Sequence, residues 1–362
     1  MTEFIVRGAP GTYICEDGIL GRLEEHLLSL GYGRILIVHG RDSWKAAASY
    51  FPEFQTLKAD FIEYSGECSL AEIQRVAESS IQADAILGVG GGKILDLVKA
   101  AGQVRNIETV LLPTAPSNCS AWTPISVIYT EEGNFHRFDI HSRNASLLII
   151  EPQIMLEAPT AMLVAGIGDT VAKWYEADVQ IRQLPEKTAA LAISHYTAKL
   201  CLDELIEHGG AAVAAAERGE LTARFVKVVE TIIMTGGMVG GFGDSYGRVA
   251  AAHSIHNGLT VLPETHSIQH GEKVAYGTLI QLILEDRWEE AEKLAVYFQQ
   301  LGLPISLRDM GLSDISDEGI LAVAEKTTKP GETIHLLKTG GVTAEEVAQA
   351  IRVYEKHQTI VQ

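Results

Sequence analysis

The pattern of apolar positions along the chain changes near residue 155. Before that point, short apolar runs alternate with amphipathic segments, and the runs cover residues 35–38, 85–89, 110–112 and 147–150. These runs are continuous rather than alternating, which is typical of parallel strands buried on both faces. The segments at 19–30 and 71–81 have the spacing of amphipathic helices. Strands that alternate with helices predict a parallel sheet with right-handed crossovers.

After residue 155 the sequence has few strand-like runs. It predicts successive helices over about residues 160–182, 187–208, 220–240, 245–262, 270–285, 288–301, 316–328 and 343–356. The predicted fold class is an α/β nucleotide-binding domain with a parallel sheet at residues 1–155, followed by an all-α domain at residues 156–362. A cleft between two such domains is the expected place for a ligand.

Composition is that of a soluble globular protein with two domains: 362 residues, of which 46% are hydrophobic and 21% charged. The formal net charge of −18 disfavours nucleic-acid and membrane partners. The N-terminus lacks an apolar signal core, and we expect no stretch to approach the length that spans a bilayer. No disulfide framework or zinc knuckle is expected from the dispersed cysteines. These cysteines are Cys15, Cys68, Cys119 and Cys201. We therefore expect a cytoplasmic protein whose cysteines are reduced.

Glycines are concentrated where one apolar run ends, in the sequence GVGGGK at 88–93. This segment follows a predicted strand and opens a predicted helix. Residues without a Cβ let backbone N–H groups approach an anion, and the helix N-terminus adds a favourable partial charge, so the turn suits a pyrophosphate. It departs from both the dinucleotide fingerprint and the P-loop. A tight strand-to-helix connection that binds nothing is the alternative.

Histidines are concentrated in the helical part, where His253, His256, His266 and His270 fall within eighteen residues. His253 and His256 lie on one face of a predicted helix, and His270 begins the next. Upstream, Asp169 lies in the sequence GIGDTVAKW. Two imidazoles and one carboxylate would supply three ligands to a divalent metal and leave positions open, at which a substrate oxygen is polarised. Packed or surface histidines are the alternative.

Four parts of the chain together resemble the iron-containing alcohol dehydrogenase family in its glycerol dehydrogenase branch. They are GVGGGKILDLVKA, PTAPSNCSAWTPISVIY, GIGDTVAKWYEA and AAHSIHNGLT with HGEKVAYGTLIQL, in the family's order and spacing over nearly the whole chain. The resemblance implies the same two-domain fold, a small-molecule substrate, a nicotinamide cofactor and a homo-oligomer. It implies a metal ion held by Asp169, His253 and His270. His256, or water linked to the ribose, would supply the proton in the reaction.

The resemblance also implies a set of cofactor contacts in the first domain, namely Gly91, Gly92, Lys93, Asp96, Thr114, Ser117, Thr123, Ile125 and Tyr129. Iron-type members carry a further metal-binding His four residues after the Asp. Here Lys173 stands at that position, which favours Zn²⁺ over Fe²⁺.

The substrate pocket departs from that of glycerol dehydrogenases. Cys119 stands where they carry an Asp that touches the substrate hydroxyls, and Arg248 stands where they have a small residue. An Arg fork suits a carboxylate, so Arg248 with Lys173 predicts an acid-binding pocket. This combination resembles the family's bacterial hydroxycarboxylate dehydrogenases, which reduce 2-oxo acids with NADPH. Alternatively, Arg248 is a surface cation and Lys173 pairs with Glu176 or Asp178.

The end of the second run bears on the choice of cofactor. NAD-preferring proteins place an acidic residue there, which hydrogen-bonds the ribose. This chain has Gly40 and Arg41 instead, which removes a repulsive carboxylate and adds a cation for a 2′-phosphate. We therefore favour NADP(H) over NAD(H), although Asp42 offers the alternative of a ribose contact.

Three other functions stay open at this point. NAD-dependent oxidation of a polyol such as glycerol is the first. A cyclase of the dehydroquinate synthase type shares the fold, but its metal ligand is a Glu where this chain has Asp169. A non-catalytic nucleotide- or metal-sensing protein is the third, and measured turnover would exclude it.

Overall fold

The computed structural model describes residues 4–361, which form two compact units. The sheet unit consists of Arg7–Leu163 and Ala214–Met238. The helical unit consists of residues 4–6, Val164–Val213 and residues 239–361. Because the two units interleave along the chain, the domain boundary at residue 155 stays a prediction.

The sheet unit is built on a parallel sheet of six strands, in the order β1-β8-β5-β4-β2-β3. This confirms the predicted α/β fold. The four predicted runs become β2, β4, β5 and β8, whereas β1, β3 and the antiparallel pair β6–β7 have no continuous apolar run because much of their surface is exposed. The strands are β1 (Thr12–Cys15), β2 (Arg34–His39), β3 (Lys58–Glu63), β4 (Ala85–Gly90), β5 (Glu108–Pro113), β6 (Ile125–Tyr129), β7 (Phe135–Ile140) and β8 (Leu147–Ile150).

Four helices connect these strands, namely α1 (Leu23–Ser29), α2 (Arg41–Ala47), α3 (Leu70–Ser79) and α4 (Gly92–Arg105), and α5 (Pro152–Glu157) follows β8. From β2 the chain crosses first to β3 on one side and then to β4 on the other. In open parallel sheets, ligands bind at the carboxyl ends of strands where the order reverses in this way. Those ends lead here into Gly40, the residue before α2, and Gly91, the residue before α4.

The remaining helices are α6 (Thr160–Ile181), α7 (Ala189–Arg218), α8 (Ala223–Glu230), α9 (Gly236–Gly243), α10 (Ala251–Leu259), α11 (His270–Leu284), α12 (Trp288–Leu301), α13 (Asp317–Thr327) and α14 (Ala344–Val361). Three predicted helices are wrong in extent. The one at 187–208 continues to Arg218. The one at 220–240 is divided by a π-helical turn at Thr231–Thr235. The one at 245–262 begins only at Ala251, after a 3-10 turn at Asp244–Gly247. The sequence GGMVGGFG between them has low helix propensity, which accounts for the irregular backbone.

One helical segment, Ala223–Gly247, is long and apolar enough to span a membrane by composition alone. The expectation that no stretch approaches that length is therefore wrong. Of its most apolar stretch, 61% is buried inside the protein, and a core helix of a globular protein has the same composition.

Candidate functional site

Asp169, His253 and His270 lie close enough together to bind one metal ion. Their donor atoms all lie within 4.8 Å of one another. Asp169 Oδ1 is 3.4 Å from His253 Nε2 and 3.2 Å from His270 Nε2. One carboxylate oxygen and two imidazole nitrogens match the three-ligand sets of catalytic zinc sites, which keep a position open for substrate.

Small residues bring the three helices that carry these ligands together. A Cβ on Gly271 would lie 1.8 Å from the carbonyl oxygen of Ala165, and one on Gly168 would lie 2.7 Å from the carbonyl oxygen of Gly271. Both glycines are direct neighbours of site residues, His270 and Asp169. The close approach of α6 and α11 therefore sets the separation of these two side chains.

The start of α11 is fixed locally. Gln269 precedes the helix, and its backbone N–H donates to Glu272 Oε2 at 2.8 Å. This is the second half of a capping box, in which a residue of the first turn satisfies a backbone donor that the helix leaves unpaired. It places His270 at the first helical position, as the sequence predicts.

Glu176 is a functional residue that the sequence analysis did not single out as part of the site. Its Oε2 lies 2.7 Å from His253 Nδ1, and its Oε1 accepts hydrogen bonds from the backbone N–H groups of Ala250 and His253 at 2.7 and 3.0 Å. Glu176 therefore caps α10 and also orients the imidazole of His253, as outer carboxylates do for metal-bound histidines. Its position seven residues after Asp169, two turns along the same helix face, is the sequence signal for it.

The charges in this cluster shift the protonation of its members. Burial alone would raise the pKa of Asp169, but Lys173, followed by the hydrogen bonds from His253 and His270, holds it well below its usual value. Burial likewise opposes a charged His253, yet Glu176 and then Asp169 raise its pKa to about 10. In the absence of metal, the cluster therefore favours a carboxylate beside an imidazolium, and a metal ion would displace that proton.

The two cations predicted to bind an acid lie in the same unit. Lys173 Nζ is 3.6 Å from Asp169 Oδ2. The Arg248 side chain is only 18% exposed and pairs with Asp244 Oδ1 at 3.3 Å, so it is not a surface cation. Among the described residues, its buried Nε has no hydrogen-bond partner. Glu176 hydrogen-bonds to His253, and Asp178 hydrogen-bonds to Arg182 and His195.

His256 lies on α10 one turn after His253, with both ring nitrogens engaged. Its Nε2 is 3.1 Å from His270 Nδ1, and its Nδ1 is 3.1 Å from Asn257 Oδ1. Burial, followed by the positive charges of His270, His253 and Lys273, holds the pKa of His256 well below its usual value.

The glycine turn in the sheet unit has the features of an anion cradle. A Cβ on Gly91 would meet nothing within 4 Å, whereas one on Gly92 would lie 3.3 Å from both Asn118 Nδ2 and Ser120 Oγ. Asn118 is a further lining residue that the sequence analysis missed. The open space at Gly91 fits a pyrophosphate at the start of the fourteen-residue helix α4.

Three of the implied cofactor residues lie around this turn. Lys93 Nζ is 2.6 Å from Glu67 Oε1 and 4.9 Å from the centre of the Tyr129 ring. The backbone N–H of Thr114 donates to the carbonyl of Gly90 at 3.2 Å. Burial raises the pKa of Tyr129 to about 12, so its hydroxyl stays protonated and can donate a hydrogen bond.

The loop between β5 and β6 carries Ser117 and Thr123, whereas Ile125 begins β6 and Asp96 lies on α4. Ser117 and Cys119 are partly exposed within it, and Cys119 is a free thiol. The buried Lys99 ammonium donates to the carbonyl groups of Ser120, Thr123 and Ile125. Asp96 pairs with Lys99 at 2.8 Å, and its Oδ2 accepts from Val127 N–H at 2.9 Å. Asp96 is thus buried, and it affects the conformation of the loop by holding Lys99, which binds the loop carbonyl groups.

Arg41, which follows β2, forms an ion pair with Glu63. Arg41 is 84% exposed in its side chain, and its guanidinium is 3.5 Å from Glu63 Oε1, at the end of the neighbouring strand β3. Glu63 is another residue that the sequence analysis did not single out. Its carboxylate would compete with a phosphate for Arg41.

Comparisons with known proteins cover nearly the whole chain. A family model described as iron-containing alcohol dehydrogenase matches residues 10–152. The chain is 36% identical to hydroxycarboxylate dehydrogenase A of Escherichia coli K12, over 91% of both chains, and 34% identical to glycerol dehydrogenase of Thermotoga maritima, over 96% of both. The crystal structure of a probable glycerol dehydrogenase from Sinorhizobium meliloti matches with a TM-score of 0.86 at 32% identity, covering 98% of this chain and 99% of that one.

Proposed function

The chain belongs to the iron-containing alcohol dehydrogenase family and is an oxidoreductase acting on alcohol groups, and from this premise we propose that it interconverts small 2-oxo and 2-hydroxy carboxylic acids. The family uses a nicotinamide cofactor and a divalent metal.

The observation that carries the proposal is that the buried Nε–H of Arg248 has no hydrogen-bond partner among the described residues. A buried Nε–H without a hydrogen-bond partner costs about 1–3 kcal/mol. A substrate carboxylate would satisfy that donor, whereas a neutral polyol offers it no charge. The identity to a hydroxycarboxylate dehydrogenase supports the same substrate class.

Asp169, His253 and His270 would hold the metal ion. When bound there, a divalent metal supplies a Lewis acid that polarises the substrate oxygen. Glu176 orients His253 for this role through its hydrogen bond to Nδ1. Three ligands, with Lys173 in place of a further histidine, favour Zn²⁺ over Fe²⁺.

Arg248 would orient the substrate carboxylate, with Lys173 adding positive charge beside Asp169. Of the two proton sources considered, we favour water linked to the ribose, because both ring nitrogens of His256 are already hydrogen-bonded. The role of His256 is then to position His270 and Asn257 through these hydrogen bonds. Cys119 would lie beside the substrate, where a thiol is a poor acceptor for polyol hydroxyls.

In the sheet unit, the turn at Gly91 and Gly92 would receive the pyrophosphate, and Arg41 beyond Gly40 would pair with a 2′-phosphate. This favours NADP(H) over NAD(H). We further propose a cytoplasmic homo-oligomer that takes a small-molecule substrate and binds neither nucleic acid nor membrane, in line with the net charge of −18.

A substrate panel on zinc-reconstituted protein tests the proposal. It compares 2-oxobutanoate, 2-oxoglutarate, glyceraldehyde and glycerol, each with NADP(H) and NAD(H). We expect the highest kcat/KM for a 2-oxo acid with NADPH. Fastest turnover of glycerol with NAD⁺ would instead establish polyol oxidation, which the glycerol dehydrogenases among the relatives make the second candidate.

A further inference from the structure

We propose that Asn257 and Glu332 are positioning residues for the metal centre, because they fix the direction of a hydrogen-bond chain that ends at His270. The proposal rests on the metal ligands assigned above. It concerns two residues to which neither the sequence analysis nor the proposed reaction assigns a role.

The chain runs through four side chains of the helical unit. Asn257 Nδ2 lies 3.1 and 3.4 Å from the two oxygens of Glu332. Asn257 Oδ1 is 3.1 Å from His256 Nδ1, and His256 Nε2 is 3.1 Å from His270 Nδ1. At the far end, His270 Nε2 faces Asp169 Oδ1 at 3.2 Å.

For a neutral His256, the hydrogen bonds between Glu332 and His270 can run in only one direction. An ionised carboxylate can only accept, so Asn257 must turn its NH₂ group to Glu332. Its oxygen is then left to accept the proton on His256 Nδ1, which makes His256 Nε2 an acceptor. His270 must therefore donate from Nδ1, which leaves Nε2, the atom that faces Asp169, as its metal-binding atom.

Glu332 is held in place from the same helix that carries His256. The next residue, Thr333, donates its hydroxyl proton to the carbonyl of Ala250 at 2.7 Å. The backbone N–H of Ile334 donates to Ser254 Oγ at 3.0 Å. These bonds join the 3-10 turn Thr333–Leu337 to α10, so the carboxylate keeps its position relative to Asn257.

The two metal-binding imidazoles are thus oriented in two ways. His253 donates directly to the carboxylate of Glu176 at 2.7 Å. His270 has no carboxylate on its Nδ1 side among its hydrogen-bond partners in the described residues, and Glu332 acts on it through Asn257 and His256. Both arrangements point Nε2 towards Asp169.

The decisive variant is Glu332→Gln, because a glutamine amide can face Asn257 with either its oxygen or its nitrogen and so loses the fixed direction. We expect its Zn²⁺ affinity, measured by competition with a chelator, to fall about 10- to 100-fold. The matched control is Glu325→Gln, which removes a carboxylate from α13 and should leave the affinity unchanged.

The double variant Glu332→Gln/Asn257→Asp distinguishes an effect on the direction of the hydrogen bonds from a general structural effect of the substitution. A carboxylate at 257 accepts from His256 without help from residue 332, so we expect Zn²⁺ affinity to return to that of the natural protein. Loss of affinity in Glu332→Gln without recovery in the double variant would overturn the proposal, as would unchanged affinity in Glu332→Gln.

Nitrogen-15 NMR of labelled histidines in the metal-free natural protein gives an independent measurement that needs no variant to fold. We expect Nδ1 of both His256 and His270 to carry a proton, and Nε2 of His256 to carry none. An unprotonated Nδ1 in either ring, or a proton on Nε2 of His256, would overturn the proposal. If His270→Ala loses zinc while Glu332→Gln keeps it, only this inference fails; if His270→Ala keeps zinc, the proposed metal centre itself fails.

Discussion

The carboxylate of Glu176 binds both the imidazole and the backbone N–H of His253. One carboxylate oxygen lies 2.7 Å from the imidazole Nδ1, and the other accepts from the backbone N–H of the same residue at 3.0 Å. The ring can therefore neither rotate nor shift along α10 without losing a buried, charge-assisted hydrogen bond. What this fixes is the direction in which Nε2 points, towards Asp169.

The Glu176→Gln variant tests this relationship. Glutamine has one acceptor oxygen where glutamate has two, so it cannot serve both the backbone and the imidazole. We expect Zn²⁺ affinity to fall about 10- to 100-fold, measured by chelator competition. Glu186→Gln, an exposed change before α7, is the control and should bind zinc normally; equal affinity in both variants would count against the role of Glu176.

The His270→Ala variant tests the metal site itself. Removing one of three protein ligands should leave purified protein with little bound metal and with turnover close to background. His266→Ala is a matched control, because His266 is exposed and bonds only to the carbonyl of Thr260 among the described residues. Metal content by mass spectrometry and steady-state rates check both. Full metal content in His270→Ala would show that the assignment of ligands is wrong.

The Arg248→Ala variant tests the substrate class. Losing a charge-assisted contact to the carboxylate should raise KM for 2-oxobutanoate about 10- to 100-fold. KM for glyceraldehyde, which has no carboxylate, should change little and so controls for altered folding. Arg248→Lys keeps the charge but lacks the planar fork, and we expect an intermediate KM. A similar rise for both substrates would remove the carboxylate contact from the proposal.

Cofactor choice depends on Arg41 and its partner Glu63. We expect Arg41→Ala to raise KM for NADPH about tenfold, because a charge-assisted contact to the 2′-phosphate is lost, and to leave KM for NADH unchanged. Glu63→Gln should lower KM for NADPH, because it removes a competing carboxylate. Lys45→Ala, an exposed cation on the same helix, is the control. Equal effects of Arg41→Ala on both cofactors would contradict the assignment.

Stability below neutral pH should depend on His141. It is buried after β7, its Nε2 lies 2.7 Å from Ser126 Oγ, and burial, followed by Lys99, lowers its pKa to about 4. The unfolded chain binds the proton first, near pH 6.5. The contribution of neutral His141 to the free energy of unfolding is therefore complete above that pH. As the pH is lowered from there towards the pKa of the folded state, this contribution falls by about 1.4 kcal/mol per pH unit.

Denaturant unfolding of the natural protein and of His141→Gln at pH 7 and pH 5 measures this dependence. We expect the natural protein to lose more stability between the two pH values than the variant does. An equal decrease in the free energy of unfolding of both proteins would show that His141 does not titrate on unfolding.

Sequence patterns alone located the elements on which the fold depends. The runs at 85–89 and 110–112 are continuous and apolar because parallel strands are covered on both faces, so their pattern identifies them. The partly exposed strands β1 and β3 have no such run and were not predicted. The glycine turn before α4 and the start of α11 at His270 were predicted because both depend on residues that are near one another in the chain.

The site itself depends on contacts between residues far apart in sequence. Asp169 and His270 are neighbours because α6 and α11 pack closely, and Gly168 and Gly271 permit that approach where any side chain would collide. The burial of Arg248 and the link from Glu332 to His270 follow from the same packing. Sequence therefore determined which local structures form, whereas packing decided which side chains meet, because hydrophobic periodicity specifies a buried face without specifying its partner.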